Sequence, residues 1–318
     1  MQGRDANAES VAVDIALACF NGAQYLPPLL DSLRAQTHDR WNLVARDDQS
    51  SDVTTSILLA FQKESENSQI VPSDTNLGAV KNFEQALLHT TADYILLADQ
   101  DDVWREDKVE LCLGGIRALE KAHGKQTPAL YFTDLEVVDE NLAVQHPSFW
   151  AYEKIQVESC HSLGRLLVRN TSPGCSMILN RALLEKALPL PDEVVMHDWW
   201  LLLVAALFGK IDYSPEATVR YRQHGQNVEG AKRRSLLEKS FRFVFKYAEI
   251  KSATRATQSQ AQSLLDAYGD TLDFDARETL MAYCNSRRES GLKHRWRCYR
   301  QGISSRGLIS NLGLYWVL

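Results

Sequence analysis

The stretch Tyr94-Ile95-Leu96-Leu97-Ala98-Asp99-Gln100-Asp101-Asp102-Val103-Trp104 decides the fold of this chain. Its apolar first half is typical of a buried strand, and three carboxylates follow within four positions. Like charges this close raise one another's pKa unless a cation lies among them, and oxygen ligands suit Mg²⁺ or Mn²⁺. The residues alone leave a second interpretation open, a solvated acidic turn before a helix, because carboxylates are favoured at helix starts.

Strands and helices alternate around this stretch. The pattern predicts strands at 11–20, 41–46 and 69–72 and helices at 25–36, about 52–65 and 79–89. Such alternation predicts right-handed βαβ units and a parallel sheet, so the fold class is α/β. Ligands of these sheets bind beyond the carboxyl ends of the strands. Phe20-Asn21, Asp47-Asp48 and the acidic stretch all follow strand ends, so we expect them to lie close together.

Composition and charge disfavour several classes of protein. With 318 residues, 45% of them hydrophobic, the chain can bury a sizeable core. A net charge of -6 argues against nucleic acid as the main partner, because phosphate binding uses basic surface. The polar start at 1–10 predicts a disordered N-terminus without a secretory signal, and hence a cytoplasmic protein. The longest apolar run, 199–208, is about half of a membrane span.

Cysteine spacing and missing motifs narrow the choice further. The six cysteines have no CxxC pair, which favours reduced thiols over a zinc site or disulfides. The sequence has no GxGxxG after the first strand and no GxxxxGK[ST], so a dinucleotide dehydrogenase and a phosphate-loop NTPase are disfavoured. A sheet that binds a nucleotide without a glycine loop needs another way to neutralise the phosphates. A metal held by carboxylates would supply it.

Several short motifs follow one another in a specific order. The first are Ala18-Cys19-Phe20-Asn21-Gly22, Arg46-Asp47-Asp48-Gln49-Ser50-Ser51-Asp52, Asn76-Leu77-Gly78 with Lys81-Asn82-Phe83, and Asp99-Gln100-Asp101-Asp102. This series resembles the nucleotide-sugar half of family 2 glycosyltransferases of the GT-A fold. A second series resembles the bacterial rhamnosyltransferase-like branch: Phe132-Thr133-Asp134-Leu135, Pro173-Gly174-Cys175-Ser176, His197-Asp198-Trp199-Trp200 and 221–227. Each motif is weak alone, but their order is specific.

The resemblance implies a division of the chain. Residues 11–230 would form a GT-A domain, a Rossmann-like, mostly parallel sheet flanked by helices, with a nucleotide-sugar half at 11–104 and an acceptor half at 105–230. Residues 231–318 continue with helical periodicity and without acids at strand ends, which predicts a helical C-terminal extension.

The resemblance also assigns a donor site. Phe20 and Asn21 would contact the nucleotide, with the Phe20 ring against uracil or thymine. Asp48 matches the carboxylate that accepts the N3–H of these bases, and Lys81 stands near the diphosphate. The residues themselves leave core packing open for Phe20 and an ordinary surface position open for Lys81. Helix capping is the stronger interpretation for Asp47.

Mn²⁺ or Mg²⁺ is the implied cofactor. Asp101 and Asp102 correspond to a DXD motif, with Asp102 favoured as the metal ligand, Asp101 at the ribose, and Asp99 as the alternative first member. A histidine at the position of His224 completes the metal or diphosphate site in relatives, although a lone histidine is more often a structural hydrogen-bonding residue. The metal would offset the charge that builds on the departing nucleoside diphosphate.

Asp198 matches the general base of the family. It would deprotonate the acceptor hydroxyl, which then attacks with inversion of configuration; simple capping of the following helix is equally open. His197 stands where the family more commonly has an acidic residue.

The sugar and acceptor pocket is predicted to include Asp134, Gly174, Cys175, Trp199 and Trp200. Core burial is the alternative for both tryptophans. Cys175 is not expected to act as a nucleophile.

The resulting hypothesis is an inverting, metal-dependent glycosyltransferase that uses dTDP-rhamnose, or another dTDP- or UDP-sugar, to build a bacterial surface glycan. The rival hypotheses are a non-catalytic nucleotide-binding protein and a metal-dependent phosphoesterase or nucleotidyltransferase.

The C-terminal segment 281–318 contains seven basic residues, a single acidic residue and several aromatic residues. This composition predicts peripheral contact with an anionic membrane on its inner face, or else a helix that packs on the protein.

Overall fold

A computed structural model describes residues 11–225, 243–284 and 291–304. The strands in this part of the chain are β1 (Val13–Cys19), β2 (Trp41–Asp47), β3 (Ser68–Val71), β4 (Tyr94–Asp99), β5 (Val103–Trp104), β6 (Ala129–Asp139), β7 (Val144–His146), β8 (Met177–Asn180) and β9 (Lys210–Gln223). The helices are α1 (Leu26–Arg34), α2 (Thr54–Glu64), α3 (Gly78–Leu88), α4 (Lys108–His123), α5 (Phe149–Tyr152), α6 (Leu163–Leu166), α7 (Arg181–Ala187), α8 (His197–Phe208), α9 (Phe243–Tyr268), α10 (Phe274–Cys284) and α11 (Leu292–Arg300).

The first four strands form the predicted parallel sheet. Their order is β3-β2-β1-β4, and β1 is parallel to both of its neighbours. Ala18 near the end of β1 pairs with Arg46 on one side and with Asp99 on the other. The carboxyl ends of β1, β2 and β4 therefore lie at one edge of the sheet, as the sequence predicts.

The second half of the sheet is mixed. β8 is antiparallel to both β4 and β6, while β6 and β9 are parallel. The short strand β5 is antiparallel to β9, with Val103 opposite Arg220. This last pairing places the turn at 99–102 beside the end of β9, and so it determines which residues meet at the edge of the sheet.

Helices cover both faces of the sheet. Val13, Ile15 and Leu17 of β1 pack with α1, α2 and α4, whereas the intervening Ala16 packs with α3, α7 and α8. Side chains alternate between faces along a strand, so a strand buried on both faces reads as a continuous apolar run. The structure confirms the α/β class, with a mostly parallel sheet flanked by helices.

The described C-terminal helices pack on the domain. Leu264 of α9 and Tyr283 of α10 belong to the same hydrophobic cluster as Trp200 of α8. The Val195 N–H also donates a hydrogen bond to Oε1 of Gln260 at 2.8 Å. The extension is therefore helical where it is described. The predicted disordered segment at 1–10 and the tail from 305 onward lie outside the described residues.

The six cysteines carry free thiols, and five of them are buried, in agreement with the sequence prediction. None of the helices in the described part of the chain is long and apolar enough to cross a bilayer.

Candidate active site

The ends of β1 and β4 are joined at the edge of the sheet. The Phe20 N–H donates a hydrogen bond to Oε1 of Gln100, and the Phe20 carbonyl accepts one from Nε2, both at 2.9 Å. A Cβ on Gly22 would lie 2.1 Å from Oε1 of Gln100, so a larger residue would displace this amide. Phe20 is 48% exposed, which excludes the core-packing alternative. Stacking of its ring on a base stays a prediction.

The loops after β1 and β2 are also tied together. Asn21, at φ 48°, donates its N–H to Oγ of Ser50 at 2.7 Å, and its Oδ1 accepts the N–H of Ser51 at 2.8 Å. Asp47 accepts hydrogen bonds from Ser50 and from Oγ1 of Thr55. Asp47 therefore ties the loop after β2 to the Thr55 side chain of α2. The first backbone N–H of α2, that of Thr54, donates instead to Asp52, the capping residue that the sequence allowed. A contact of Asn21 with the nucleotide stays a prediction.

Asp48 is a buried anchor between β2 and α3. Its Oδ1 lies 2.8 Å from Nη1 of Arg46 and accepts the N–H of Leu77, and its Oδ2 accepts the N–H of Gly78. The residue is 2% exposed. Both carboxylate oxygens accept hydrogen bonds from the protein, but Oδ2 accepts only one from the described residues and keeps a second lone pair with which it could accept the N3–H of a base. That role stays a prediction.

Lys81 joins α3 to the segment before α8. Its Nζ donates to the carbonyl of Leu190 at 2.6 Å and lies 3.0 Å from Oε2 of Glu84 and 3.4 Å from Oδ1 of Asp192. A diphosphate would compete with these partners for the ammonium. The predicted diphosphate contact stays a prediction.

Asp101 and His224 meet at the edge of the sheet because β5 pairs with β9. Nε2 of His224 lies 2.8 Å from Oδ2 of Asp101, and the Asp101 side chain is 15% exposed. The imidazole also stacks on the ring of Tyr25, with centroids 4.4 Å apart. Carboxylate and imidazole are both established ligands of divalent transition metals.

Asp102 is enclosed by the protein. Its Oδ1 accepts the N–H of Arg222 at 3.0 Å, which ties the acidic turn to β9. Its Oδ2 is buried without a hydrogen-bond partner among the described residues, and the residue is 0% exposed. Burial, then the charges of Asp101 and Asp99, raise the pKa of Asp102 well above its usual value. When no cation is bound, these effects favour the protonated form of Asp102.

Asp99 lies half-buried between these groups. Burial and the negative charges of Asp101 and Asp198 raise the pKa of Asp99 to about 7. Ligand atoms of Asp99, Asp102 and Cys175 all lie within 4.8 Å of one another. Burial and the neighbouring aspartates also raise the pKa of the Cys175 thiol well above its usual value, so Cys175 keeps its proton.

A divalent cation fits this edge of the sheet. The carboxyl groups are crowded enough to hold protons, and one buried carboxylate oxygen has no partner among the described residues. Asp99, Asp102 and Cys175 form one candidate cluster for the ion. Asp101 with His224 is the second candidate, and Asp101 is the more exposed of the two adjacent aspartates. The sequence assignment, with the metal on Asp102 and the ribose at Asp101, stays a prediction.

Asp198 lies in the first turn of α8. Its Oδ2 accepts the N–H of Gly174 at 2.9 Å, and its Oδ1 accepts the N–H of Trp199 at 2.6 Å. A Cβ on Gly174 would lie 3.1 Å from Nε2 of His197 and 3.3 Å from Cβ of Asp198. The close approach of this backbone to α8 therefore favours glycine, because a larger residue would push on His197 or Asp198. The approach of a ligand to Gly174 stays a prediction.

His197 is buried next to Asp198 as a neutral imidazole. Its ring stacks on Phe83 with centroids 3.8 Å apart. Neither ring nitrogen has a hydrogen-bond partner among the described residues. Burial lowers the pKa of His197 to about 3, so the residue adds no positive charge beside Asp198 at neutral pH.

Two residues predicted to line the acceptor pocket are structural. Trp200 is 0% exposed, and its indole N–H donates to a carbonyl of α7 at 3.0 Å. Asp134 is buried and accepts the N–H of Trp150, so it holds the start of α5. Both pocket assignments are corrected. Trp199 is half-buried with its indole N–H on the Leu166 carbonyl at 2.7 Å, and its contact with an acceptor stays a prediction.

Three residues at the site were not identified from the sequence. Gln100 joins the two strand ends, and Tyr25 supports the His224 ring. The Arg222 guanidinium lies 4.8 Å from the centroid of Tyr25 and donates to the carbonyl of Asp101. The position of Gln100 inside the acidic motif is a sequence signal for its role. Tyr25 and Arg222 have no such signal, because their contacts depend on how β5 pairs with β9.

Solved structures share this fold. S. aureus TarS, residues 1–349 in complex with UDP-GlcNAc, superposes with a TM-score of 0.56 at 16% identity, over 91% of this chain and 79% of that chain. The mannosyltransferase PcManGT from Pyrobaculum calidifontis, in complex with GDP-Man and Mn²⁺, gives 0.53 at 14% identity, over 92% and 79%. The fold of this chain is thus the GT-A fold of these two proteins.

A sequence comparison identifies the family. The model of glycosyl transferase family 2 matches residues 14–182, so the chain belongs to this family. The dTDP-rhamnosyl transferase RfbG of Shigella flexneri is 26% identical over 232 residues, which span 68% of this chain and 74% of RfbG. TuaG of Bacillus subtilis is 31% identical over 98 residues, which span 31% of this chain and 39% of TuaG.

Proposed function

We propose that this chain is an inverting, metal-dependent glycosyltransferase that transfers rhamnose from dTDP-rhamnose to a saccharide during synthesis of a bacterial surface polysaccharide. The observation that supports it most strongly is geometric. Asp198 accepts the N–H of Gly174 at 2.9 Å, and the thiol of the next residue, Cys175, lies within 4.8 Å of carboxylate oxygens of Asp99 and Asp102. The proposed base therefore lies close to the acidic edge of the sheet. The name of RfbG supports dTDP-rhamnose as the donor. A UDP-sugar is the alternative, supported by the UDP-GlcNAc complex of TarS.

The proposed reaction assigns two tasks to this chain's own residues. Asp101 and His224 would hold a divalent cation, which would supply positive charge to offset the charge of the leaving diphosphate. Asp198 accepts the proton of the acceptor hydroxyl, while the Gly174 N–H fixes the orientation of its carboxylate. Each carboxylate oxygen has two lone pairs, so Asp198 can accept that proton without losing the bond to Gly174.

The bonds that form and break follow from this arrangement. The acceptor oxygen attacks the anomeric carbon on the side opposite the nucleoside diphosphate. A new C–O bond forms as the bond to the diphosphate breaks, and its electron pair leaves with the diphosphate. One displacement inverts the configuration, so no covalent enzyme intermediate is needed, in keeping with a Cys175 thiol that stays protonated.

The donor base and the acceptor complete the proposal. The exposed ring of Phe20 is available for offset stacking on thymine or uracil, worth about 0.5–1.5 kcal/mol beyond area burial. We expect the acceptor to be a saccharide on a lipid carrier. The protein would then work at the inner face of the cytoplasmic membrane.

A donor-turnover assay tests the proposed function. The protein is incubated with Mn²⁺ and dTDP-rhamnose, UDP-glucose or UDP-GlcNAc, and the nucleotide products are separated. We expect intact dTDP from dTDP-rhamnose. Inorganic phosphate or pyrophosphate would identify a phosphoesterase or nucleotidyltransferase instead. Tight nucleotide binding without turnover of any donor, with or without added saccharide, would support the non-catalytic rival.

A further inference from the structure

Helix α11 has one face in the core and one in solvent. His294 and Cys298 are 1% and 0% exposed, and the Cys298 thiol approaches the carbonyl of Ala282 in α10 at 3.5 Å. Trp296 and Tyr299, three positions apart, are each 62% exposed. Residues at i and i+3 share a helix face, so the two aromatic side chains form one outward surface.

The two aromatic rings contact each other and are flanked by positive charge. The rings of Trp296 and Tyr299 stack with centroids 5.7 Å apart and an interplanar angle of 25°. Lys293 and Arg300, on the same helix, are exposed as well. The helix contains no acidic residue, and the guanidinium of Arg297 is paired with the carboxylate of Glu278 in α10 at 3.0 Å. We define Lys293, Trp296, Tyr299 and Arg300 as the aromatic-basic face.

We propose that the aromatic-basic face docks on an anionic phospholipid membrane. Indole and phenol rings favour the boundary between headgroups and acyl chains, because each has an apolar body and a polar tip. Lysine and arginine near that boundary are attracted to anionic headgroups. A second copy of this chain is a less suitable partner for the face. Stable protein interfaces bury about 800 Å² per partner, which is more area than two large apolar side chains provide.

The face is connected to the acceptor side of the site by packing. A Cβ on Gly164 of α6 would lie 2.6 Å from the carbonyl oxygen of Gln301, so α6 packs directly on the end of α11. The carbonyl of Leu166 in α6 accepts the indole N–H of Trp199, which follows Asp198 in α8. Docking would thus hold α6 and α8 near the membrane. This consequence rests on the proposed function, since it explains how Asp198 would meet a lipid-linked acceptor.

Vesicle sedimentation tests the proposal with the full chain. The protein is mixed without nucleotide with vesicles of phosphatidylcholine and phosphatidylglycerol, or of phosphatidylcholine alone. We expect it to sediment with the anionic vesicles and to be released by high salt, which screens charges within about 3 Å at 1 M. Combined Trp296→Ala and Tyr299→Ala should weaken binding at least about tenfold. Combined Lys293→Gln and Arg300→Gln should remove the preference for anionic vesicles.

Phe274→Ala provides the matched control. Phe274 is 78% exposed at the start of α10 and outside the aromatic-basic face, so its loss should leave vesicle binding unchanged. A cooperative thermal unfolding transition, measured without nucleotide, checks that each variant is folded. Since sedimentation requires neither donor nor turnover, its failure is distinguishable from failure of the proposed glycosyltransferase activity.

Three outcomes would overturn the proposal. The wild-type chain could fail to bind anionic vesicles, or the double aromatic variant could bind them as well as the wild type. Alternatively, sedimentation velocity could show a concentration-dependent rise in mass that the aromatic substitutions abolish. That result would identify a second copy of the chain as the occupant of the face.

Discussion

Nε2 of His224 lies 2.8 Å from Oδ2 of Asp101, although 123 positions separate the two residues. The antiparallel pairing of β5 with β9 brings them together, and the ring of Tyr25 supports the imidazole from the loop after β1. Three distant segments thus supply one carboxylate–imidazole pair. This pair is the structural basis for the proposed metal dependence.

Asp198→Asn should abolish transfer without unfolding the protein. The amide oxygen can still accept the Gly174 N–H, but the side chain cannot take a proton from the acceptor. We expect kcat to fall by about 100- to 10,000-fold, the usual contribution of a general base. Calorimetry should show that nucleoside diphosphate binding with Mn²⁺ is retained. Near-normal turnover would remove Asp198 from the mechanism.

Gly174→Ala should impair the base through packing. The new Cβ would lie 3.1 Å from Nε2 of His197 and 3.3 Å from Cβ of Asp198, so the first turn of α8 must shift. Small misplacements of a catalytic group are costly, and we expect kcat to fall about 10- to 100-fold with nucleotide affinity unchanged.

Gly114→Ala is the matched control for this substitution. Gly114 is exposed within α4, and a Cβ there meets nothing within 4 Å. It should raise the free energy of unfolding by about 0.5–1 kcal/mol and leave kcat unchanged. Equal kcat values for the Gly174→Ala and Gly114→Ala variants would contradict the packing argument.

Asp99 should make the metal-free protein less stable as the pH rises. Its pKa is raised from 3.8 to about 7, so the folded protein keeps a proton that the unfolded chain has already released. The stability that this proton contributes is present below pH 3.8 and is lost as the pH rises through about 7. The side chain in the Asp99→Asn variant cannot ionise, so the free energy of unfolding of this variant should not decrease for this reason.

Urea denaturation in EDTA at several pH values measures the effect. The free energy of unfolding of the Asp99→Asn variant, relative to wild type, should increase as the pH rises through this range. A difference that does not change with pH would show that Asp99 titrates normally in the folded protein.

Lys108→Met should stabilise the protein. Lys108 is 0% exposed, and its Nζ has no hydrogen-bond acceptor among the described residues, although it lies 4.7 Å from the ring centroid of Trp104. A buried ammonium is expensive to desolvate, and methionine has a similar length. We expect the free energy of unfolding to rise by about 1–3 kcal/mol.

Lys186→Met controls for loss of a cation–aromatic contact at a more exposed position. Nζ of Lys186 lies 4.1 Å from the ring centroid of Phe208, and the residue is only half-buried. We expect this substitution to change the free energy of unfolding by less than about 1 kcal/mol. The opposite result would be a decrease in the free energy of unfolding of the Lys108→Met variant by about 2–5 kcal/mol, as for truncation of a core side chain. That result would show that the buried ammonium stabilises the fold.

The sequence predicted the edge of the sheet correctly because the rule behind that prediction is topological. Carboxyl ends of parallel strands share an edge, so Phe20, Asp48 and Asp99 had to lie near one another once the βαβ order was recognised. Membership of family 2 was recognised from the same motifs and their order, and it is confirmed.

The orientation of individual side chains could not be predicted in the same way. Adjacent residues such as Asp101 and Asp102 differ in exposure because β5 turns toward β9, a pairing that periodicity does not reveal. Helix α8 is apolar almost all round, so its pattern cannot distinguish the buried Trp200 from the half-buried Trp199. The ion pairs of Lys81 with Glu84 and Asp192 depend on the path of the chain before α8.

The most direct measurement of the central claim is thermal stabilisation by dTDP, UDP and GDP, each with and without Mn²⁺. We test the wild type and the Asp101→Asn and Asp102→Asn variants. A ligand at about 100 times its Kd adds roughly 2.7 kcal/mol of stability. We predict stabilisation of the wild type by dTDP or UDP that requires Mn²⁺, and loss of the Mn²⁺-dependent part in Asp101→Asn alone. Loss in Asp102→Asn alone would identify Asp102 as the metal ligand, and a wild type that no nucleotide stabilises with Mn²⁺ would contradict the donor site.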